Sequence, residues 1–204
     1  SAIGHPQALF GIQQGGVFPD LRDRSARELV ALDLPGYAVG GLSVGEGHEA
    51  MKTILDGVDS QFPAPKPRYL MGVGTPVDFF EAVERGADMF DCVNPTRYGR
   101  NGTAFTADGL VVIRNTRYTL DTAPVQKDCQ CYTCKNYTRS YLAHLFRSKE
   151  ILGSTMASIH NLYFIVNLVV KIRQSILKGN FQKFKKEFLK QYYGNKIDNS
   201  KNNS

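Results

Sequence analysis

Two stretches of the chain carry residues whose types and spacing can do chemistry. The first is Met89-Phe90-Asp91-Cys92-Val93-Asn94-Pro95-Thr96-Arg97, where Asp91 interrupts four apolar residues and Asn94-Pro95 ends the run. A short apolar run bounded by turn residues reads as a buried strand of a parallel sheet. A carboxylate inside such a strand is costly to desolvate unless something compensates it. Two readings are open. Asp91 either caps a turn or pairs with Arg97 or Arg100, or it is a catalytic carboxylate at the C-terminal end of a barrel strand, where the active sites of such barrels lie.

The second stretch is Cys129-Gln130-Cys131-Tyr132-Thr133-Cys134, which packs three soft ligands into six residues. Zinc prefers four ligands in a tetrahedron. His5 and His48 belong to the earlier strand-rich part, and His144 is expected to face outward from the helix after the cysteines. His160, 26 residues beyond Cys134, sits near the start of a long helix and can fold back. The expectation is a Cys3His site holding one structural Zn2+ per chain, with no open position for water. The alternative is three buried free thiols. Cys92 reads as a core residue.

The elements that must position these groups alternate. Ala8 to Gln14 reads as a strand and Pro19 to Leu32 as a helix that Asp20 can cap. Tyr37 to Leu42 is a second strand and His48 to Val58 a second helix. Arg68 to Gly74 is a third strand. Thr75 caps a helix over Pro76 to Arg85, and the Asp91 strand follows. Four such alternations imply a parallel sheet with covering helices. A barrel carrying its chemistry at the strand C-termini fits best; a doubly wound open sheet is the runner-up, without a G-x-G-x-x-G after the first strand.

After Asp91 the pattern changes. Thr103–Thr106 and Leu110–Arg114, joined by Ala107-Asp108-Gly109, read as a hairpin. Helices are expected over 135–146, 154–178 and 181–193, the last with Phe181, Phe184 and Phe188 on one face. Gly194 to Ser204 is polar and low in complexity, which predicts disorder.

The 204 residues and 42% hydrophobic content suffice for one filled core with a small appendage. The net charge of +6 is uneven. Residues 1–128 hold 12 Lys+Arg against 16 Asp+Glu, and residues 129–204 hold 13 against 3. So basic a half suggests a polyanionic partner, nucleic acid ahead of membrane, or else a solvated basic surface. The N-terminus has no signal-peptide pattern, and the most apolar segment, Leu162 to Val170, contains Asn167 and stops at Lys171. That segment is too short to cross a bilayer, so a cytoplasmic protein without a membrane is expected.

Six motifs together resemble the tRNA-guanine transglycosylase family, specifically its C-terminal half and its bacterial branch. They are Gly11-Ile12-Gln13-Gln14-Gly15, Val39-Gly40-Gly41-Leu42-Ser43-Val44-Gly45-Glu46, Tyr69-Leu70-Met71-Gly72-Val73-Gly74, Phe90 to Arg97, Gly99-Arg100-Asn101-Gly102, and the three cysteines with His160. The resemblance implies the last four strands of a (β/α)8 TIM-type barrel over residues 1–102, with an inserted hairpin and zinc-binding subdomain over 103–150. Helices over 151–193 would pack on both, and 194–204 would form a tail.

The resemblance further implies an enzyme that exchanges guanine at the wobble position of GUN-anticodon tRNAs for 7-aminomethyl-7-deazaguanine. Val44 favours that smaller base over queuine. Asp91 would be the nucleophile. Gln14, Gly41, Leu42, Glu46 and Met71 would bind the base, and Arg97 and Arg100 the tRNA, unless those arginines pair with neighbouring carboxylates. The family's first half, with a second aspartate as general acid/base, is not in this sequence. A half barrel exposes two sheet edges, so pairing with a second copy as a homodimer, or with the missing half, is expected. The alternative function is a non-catalytic tRNA-binding or scaffolding fragment.

Overall fold

The computed structural model describes residues 7–41 and 54–199, with side chains described through Gly194. The fold is α/β. The chain divides into two compact units, residues 1–92 and 93–204.

In the first unit, β1 (Phe10–Gln13), β2 (Gly36–Val39), β3 (Arg68–Leu70) and β4 (Met89–Phe90) form one parallel sheet in sequence order. The register pairs Phe10 with Gly36, Tyr37 with Arg68 and Tyr69 with Met89. All four residues of β2 are buried, as a central strand requires. Among the described residues no strand covers the outer edges of β1 and β4, and apolar side chains lie exposed there, Leu9 at 73% and Met89 at 46%. The connections are α1 (Pro19–Val30), α2 (Val58–Gln61) and α3 (Pro76–Glu84). The core gathers Ala26, Tyr37, Val39, Leu55, Phe62 and Leu70, with Tyr37 and Phe62 stacked at 4.9 Å.

Several expectations shift. Phe18, not Asp20, is the N-cap of α1; Pro19 starts the helix and Asp20 sits in its first turn, where its charge suits the helix dipole. Most of the expected helix from His48 to Val58 lies outside the described residues. The strands are shorter than their apolar runs, because β3 and β4 stop at Leu70 and Phe90. Asp91 therefore lies beyond the strand, exposed, rather than buried inside it. Thr75 caps α3 as expected: its side chain accepts from Asp78 N–H while the Asp78 carboxylate accepts from Thr75 N–H at 2.9 Å.

In the second unit, α4 (Asn94–Arg100) leads into the antiparallel hairpin β5 (Thr103–Thr106) and β6 (Gly109–Val112). The expected single helix after the cysteines is two, α5 (Tyr132–Asn136) and α6 (Arg139–Arg147). Thr138 separates them by capping α6, its Oγ1 accepting from Tyr141 N–H at 3.2 Å. α7 (Ile151–Leu177) begins earlier than expected, and α8 (Phe181–Asn199) continues past Gly194; residues 200–204 lie outside the described residues. On α8, Phe188 stacks on Tyr192 and meets Phe184 at a tilt.

By length and composition, α7 is apolar enough to cross a membrane, contrary to the reading of its apolar core as too short. Its buried residues, among them Met156, Ala157, His160, Asn161, Phe164 and Leu168, instead make it the central helix of this unit. Arg139 ties the preceding loop to α6 by donating to Asp121 Oδ2 at 3.0 Å and to the Val125 carbonyl at 3.0 Å.

Thr75→Ala removes one half of the capping box. It should lower unfolding free energy by about 1 kcal/mol, read by denaturant titration of the two variants.

Candidate active site and metal centre

The C-terminal ends of β1 to β4 gather polar groups because the backbone ladder ends there. Asp91 Oδ1 accepts two hydrogen bonds, from the Tyr69 hydroxyl at 2.7 Å and from Gly72 N–H at 2.9 Å. Tyr69 is on β3, and Gly72 follows that strand in the left-handed region (φ +74°), a conformation open to glycine. One carboxylate oxygen is thus fixed by two donors, one on the neighbouring strand and one just past it, and the other has no described protein partner. The phenol of Tyr69 is held above its ordinary value, first by donating to Asp91 and then by burial. A carboxylate with one oxygen fixed and one presented outward suits attack on an electrophilic carbon.

Gln14 is exposed just past β1, its backbone N–H on Ser25 Oγ at 3.2 Å. Its side-chain amide lies against Gly40 and Gly41: a Cβ on Gly40 would come within 2.7 Å of Gln14 Nε2, and one on Gly41 within 3.2 Å of Gln14 Oε1. Gly41 also holds φ +70°. The structure therefore brings Gln14 and Gly41 together, with a backbone conformation at Gly41 that favours glycine. Met71, half-buried, follows β3 and donates its N–H to the Val39 carbonyl at 3.3 Å. Leu42 and Glu46 lie outside the described residues. Cys92 is half-buried and packs on Gly74, where a Cβ would meet its own at 2.4 Å.

Two residues not singled out in the sequence support these loops. Arg22 is buried on α1 and donates to the carbonyls of Gly16 at 2.6 Å and Gly40 at 2.9 Å, joining the loops after β1 and β2. Gln13 is fully buried and donates to the Arg22 carbonyl at 3.1 Å and to Gln61 Oε1 at 2.7 Å. The signal for Arg22 was its place four residues before Ala26 on the apolar face of α1, where an arginine must be satisfied by acceptors.

In the second unit Cys129, Cys131, Cys134 and His160 converge, with ligand atoms all within 4.8 Å of one another. His160 Nδ1 lies 3.8, 3.5 and 3.3 Å from the three sulfurs in chain order. A tetrahedral ion bound to sulfur and imidazole sets such edges at about 3.5 Å. His160 Nε2 donates to the Phe105 carbonyl at 2.7 Å, which leaves Nδ1 as the ring nitrogen facing the sulfurs.

The thiols are in electrostatic conflict. Hydrogen bonds from Cys129 and Cys134 push the Cys131 thiol far down, while Cys129 and Cys131 push the Cys134 thiol far up. Burial lowers the imidazole of His160, but Cys129, Cys131 and the Phe105 carbonyl outweigh it and raise it to about 9. A bound metal ion would resolve the conflict by holding the three sulfurs side by side as thiolates. The donor set fits one, and all four positions of a tetrahedron are filled by protein. His144 is exposed, as expected of a residue outside the cluster.

Arg97 and Arg100 project from α4, both exposed. Among the described residues of the second unit neither guanidinium has an ion-pair partner, so the pairing alternative finds no support there.

Two outcomes are expected. Asp91→Ala should lower the titration midpoint of the Tyr69 phenol toward 10, because the neutral phenol loses its carboxylate acceptor; pH-dependent NMR of labelled tyrosine reads it. Loading with Co2+ should give the absorption bands of a tetrahedral thiolate site, and Cys131→Ser should remove them and lower Tm by more than about 10 °C.

Comparisons with known proteins show which family the chain falls in. A family model described as Queuine tRNA-ribosyltransferase matches residues 2–194. A queuine tRNA-ribosyltransferase of Caldanaerobacter subterraneus subsp. tengcongensis is 56% identical over 190 residues, 93% of this chain and 51% of the relative. That of Pelotomaculum thermopropionicum is 55% identical over 92% of this chain and 51% of its own, and that of Streptococcus pyogenes 52% identical over 94% and 50%. The chain spans about half the length of these curated relatives. It belongs to the queuine tRNA-ribosyltransferase family.

Proposed function

We propose that the chain supplies the nucleophile-bearing half of a tRNA-guanine transglycosylase. The observation that carries this reading is Asp91, held by Tyr69 and Gly72 beside the strand ends that also carry Gln14 and Gly41. Asp91 attacks C1′ of the ribose as the bond to guanine N9 breaks, so the sugar passes to the carboxylate. An incoming 7-aminomethyl-7-deazaguanine then attacks C1′ and releases Asp91. Splitting the exchange into two displacements lets each pass through an oxocarbenium-like centre stabilised by a carboxylate. The departing guanine takes up a proton and the incoming base gives one up. A second acidic group is needed for that transfer, and it belongs to the part of the relatives' length that this chain does not span.

The target base must leave the anticodon stack. Gln14 reads its edge, Gly41 and Leu42 offer backbone groups at close range, Met71 forms an apolar wall and Glu46 meets the amino group of the incoming base. Arg97 and Arg100, with the basic second unit, bind phosphates of GUN-anticodon tRNAs. The four parallel strands are the last four of a (β/α)8 barrel over residues 1–102; residues 103–150 form the zinc subdomain and 151–193 the helices packing on it. The unpaired edges of β1 and β4 are closed by the other half-barrel, and the complete enzyme works as a homodimer in the cytoplasm.

Cys129, Cys131, Cys134 and His160 hold one Zn2+. The ion supplies structure there rather than chemistry, since the protein fills every position.

The test is incorporation of labelled guanine into a GUN-anticodon tRNA. The chain is assayed alone and co-expressed with the first half of the Caldanaerobacter relative. Exchange is expected only with the complementing half, and Asp91→Asn should lower it at least about 10⁴-fold, as loss of a covalent nucleophile does. Undiminished exchange by Asp91→Asn would remove Asp91 from the chemistry. RNA binding without exchange in either form would leave a binding module.

A further inference from the structure

The residue after His160 is also buried, polar and fully bonded. Asn161 is 0% exposed. Its Oδ1 accepts from Phe105 N–H at 2.9 Å, and its Nδ2 donates to the carbonyls of Pro95 at 2.9 Å and Thr103 at 3.0 Å. His160 meanwhile donates to the Phe105 carbonyl. Two consecutive side chains of α7 thus satisfy both backbone groups of one residue of β5, and the second reaches on to the first turn of α4.

α4 is seven residues long, too short to hold a direction by itself. Its orientation comes from three contacts with α7. Asn161 holds its start at Pro95. Gly99 lies so close to α7 that a Cβ would meet Ser158 at 2.6–2.8 Å. Ser154 Oγ donates to the Arg100 carbonyl at 3.3 Å. A leucine at position 161 would fill similar space but remove all three of these hydrogen bonds from the backbone of α4 and β5.

We infer that Asn161 is a positioning residue for RNA binding, transmitting the geometry of the metal-ligating helix to α4 and so aiming Arg97 and Arg100 at phosphates. It rests on the reading of those two arginines as tRNA contacts.

The experiment is a double-mutant cycle on binding of fluorescent GUN-anticodon tRNA by the whole chain, across a series of salt concentrations. Its members are the wild type, Arg97→Ala with Arg100→Ala, Asn161→Leu, and all three together. Metal content and far-UV circular dichroism are measured on each. Asn161→Leu should keep its metal, weaken binding by about tenfold and lower the salt slope by about 2, matching the arginine pair. The combined variant should be weaker than either by less than about twofold.

Factors that multiply, or wild-type binding by Asn161→Leu, would overturn the inference while the arginine reading stands. Wild-type binding by the arginine variant would overturn that reading and the inference with it. Should Asn161→Leu fail to fold, Asn161→Asp takes its place, keeping the acceptor for Phe105 N–H and losing both donors. Hydrogen exchange then gives a second readout: residues 94–101 should exchange faster in Asn161→Asp while 129–134 stay protected, and unchanged exchange in 94–101 would overturn the inference.

Discussion

Three thiol sulfurs and an imidazole nitrogen within 4.8 Å of one another are the constraint on which the second unit depends. Their mutual hydrogen bonds drive Cys131 toward the thiolate and Cys134 away from it. The surrounding bonds all assume that it is held together. Cys134 N–H donates to Cys131 Sγ at 3.2 Å, Thr133 Oγ1 donates to the Met156 carbonyl at 2.7 Å, and His160 donates to Phe105. These bonds lock α5 and the β5–β6 hairpin onto α7. Free energy of metal binding at such a cluster would also be free energy of folding.

The first unit depends on a different economy. Parallel strands bury their backbone but must end, and at their ends donors and acceptors lose partners. This chain fills that zone with side chains that bridge loops. Arg22 ties the turn after β1 to the turn after β2, and Tyr69 with Gly72 ties β3 to the carboxylate after β4. The rigidity of the proposed base pocket comes from these bridges, because Gly40 and Gly41 provide close approach and no stiffness of their own.

Much of this was legible in the residues. The four parallel strands in sequence order, the cap at Thr75, the hairpin around Asp108-Gly109 and the choice of His160 over His144 follow from spacing and residue type, and the structure shows each. The exposure of Asp91 was not legible. An apolar run does not state where pairing stops, and β4 pairs through only two residues. Arg22 and Gln13 were hidden because polar residues on apolar faces show their meaning only once their acceptors are placed. The break between α5 and α6 turns on one threonine whose capping bond competes with helix continuation, a balance composition does not display. The start of α7 carried no capping signal, since Glu150 makes no side-chain cap.

The most direct measurement of the central claim is denaturing electrophoresis of labelled GUN-anticodon tRNA incubated with the complemented enzyme, followed by peptide mapping of any shifted band. A protein–RNA adduct that survives denaturation and maps to Asp91 is the predicted result. An adduct mapping to another residue, or exchange proceeding while no adduct ever accumulates under trapping conditions, would contradict the role of Asp91 as the covalent nucleophile.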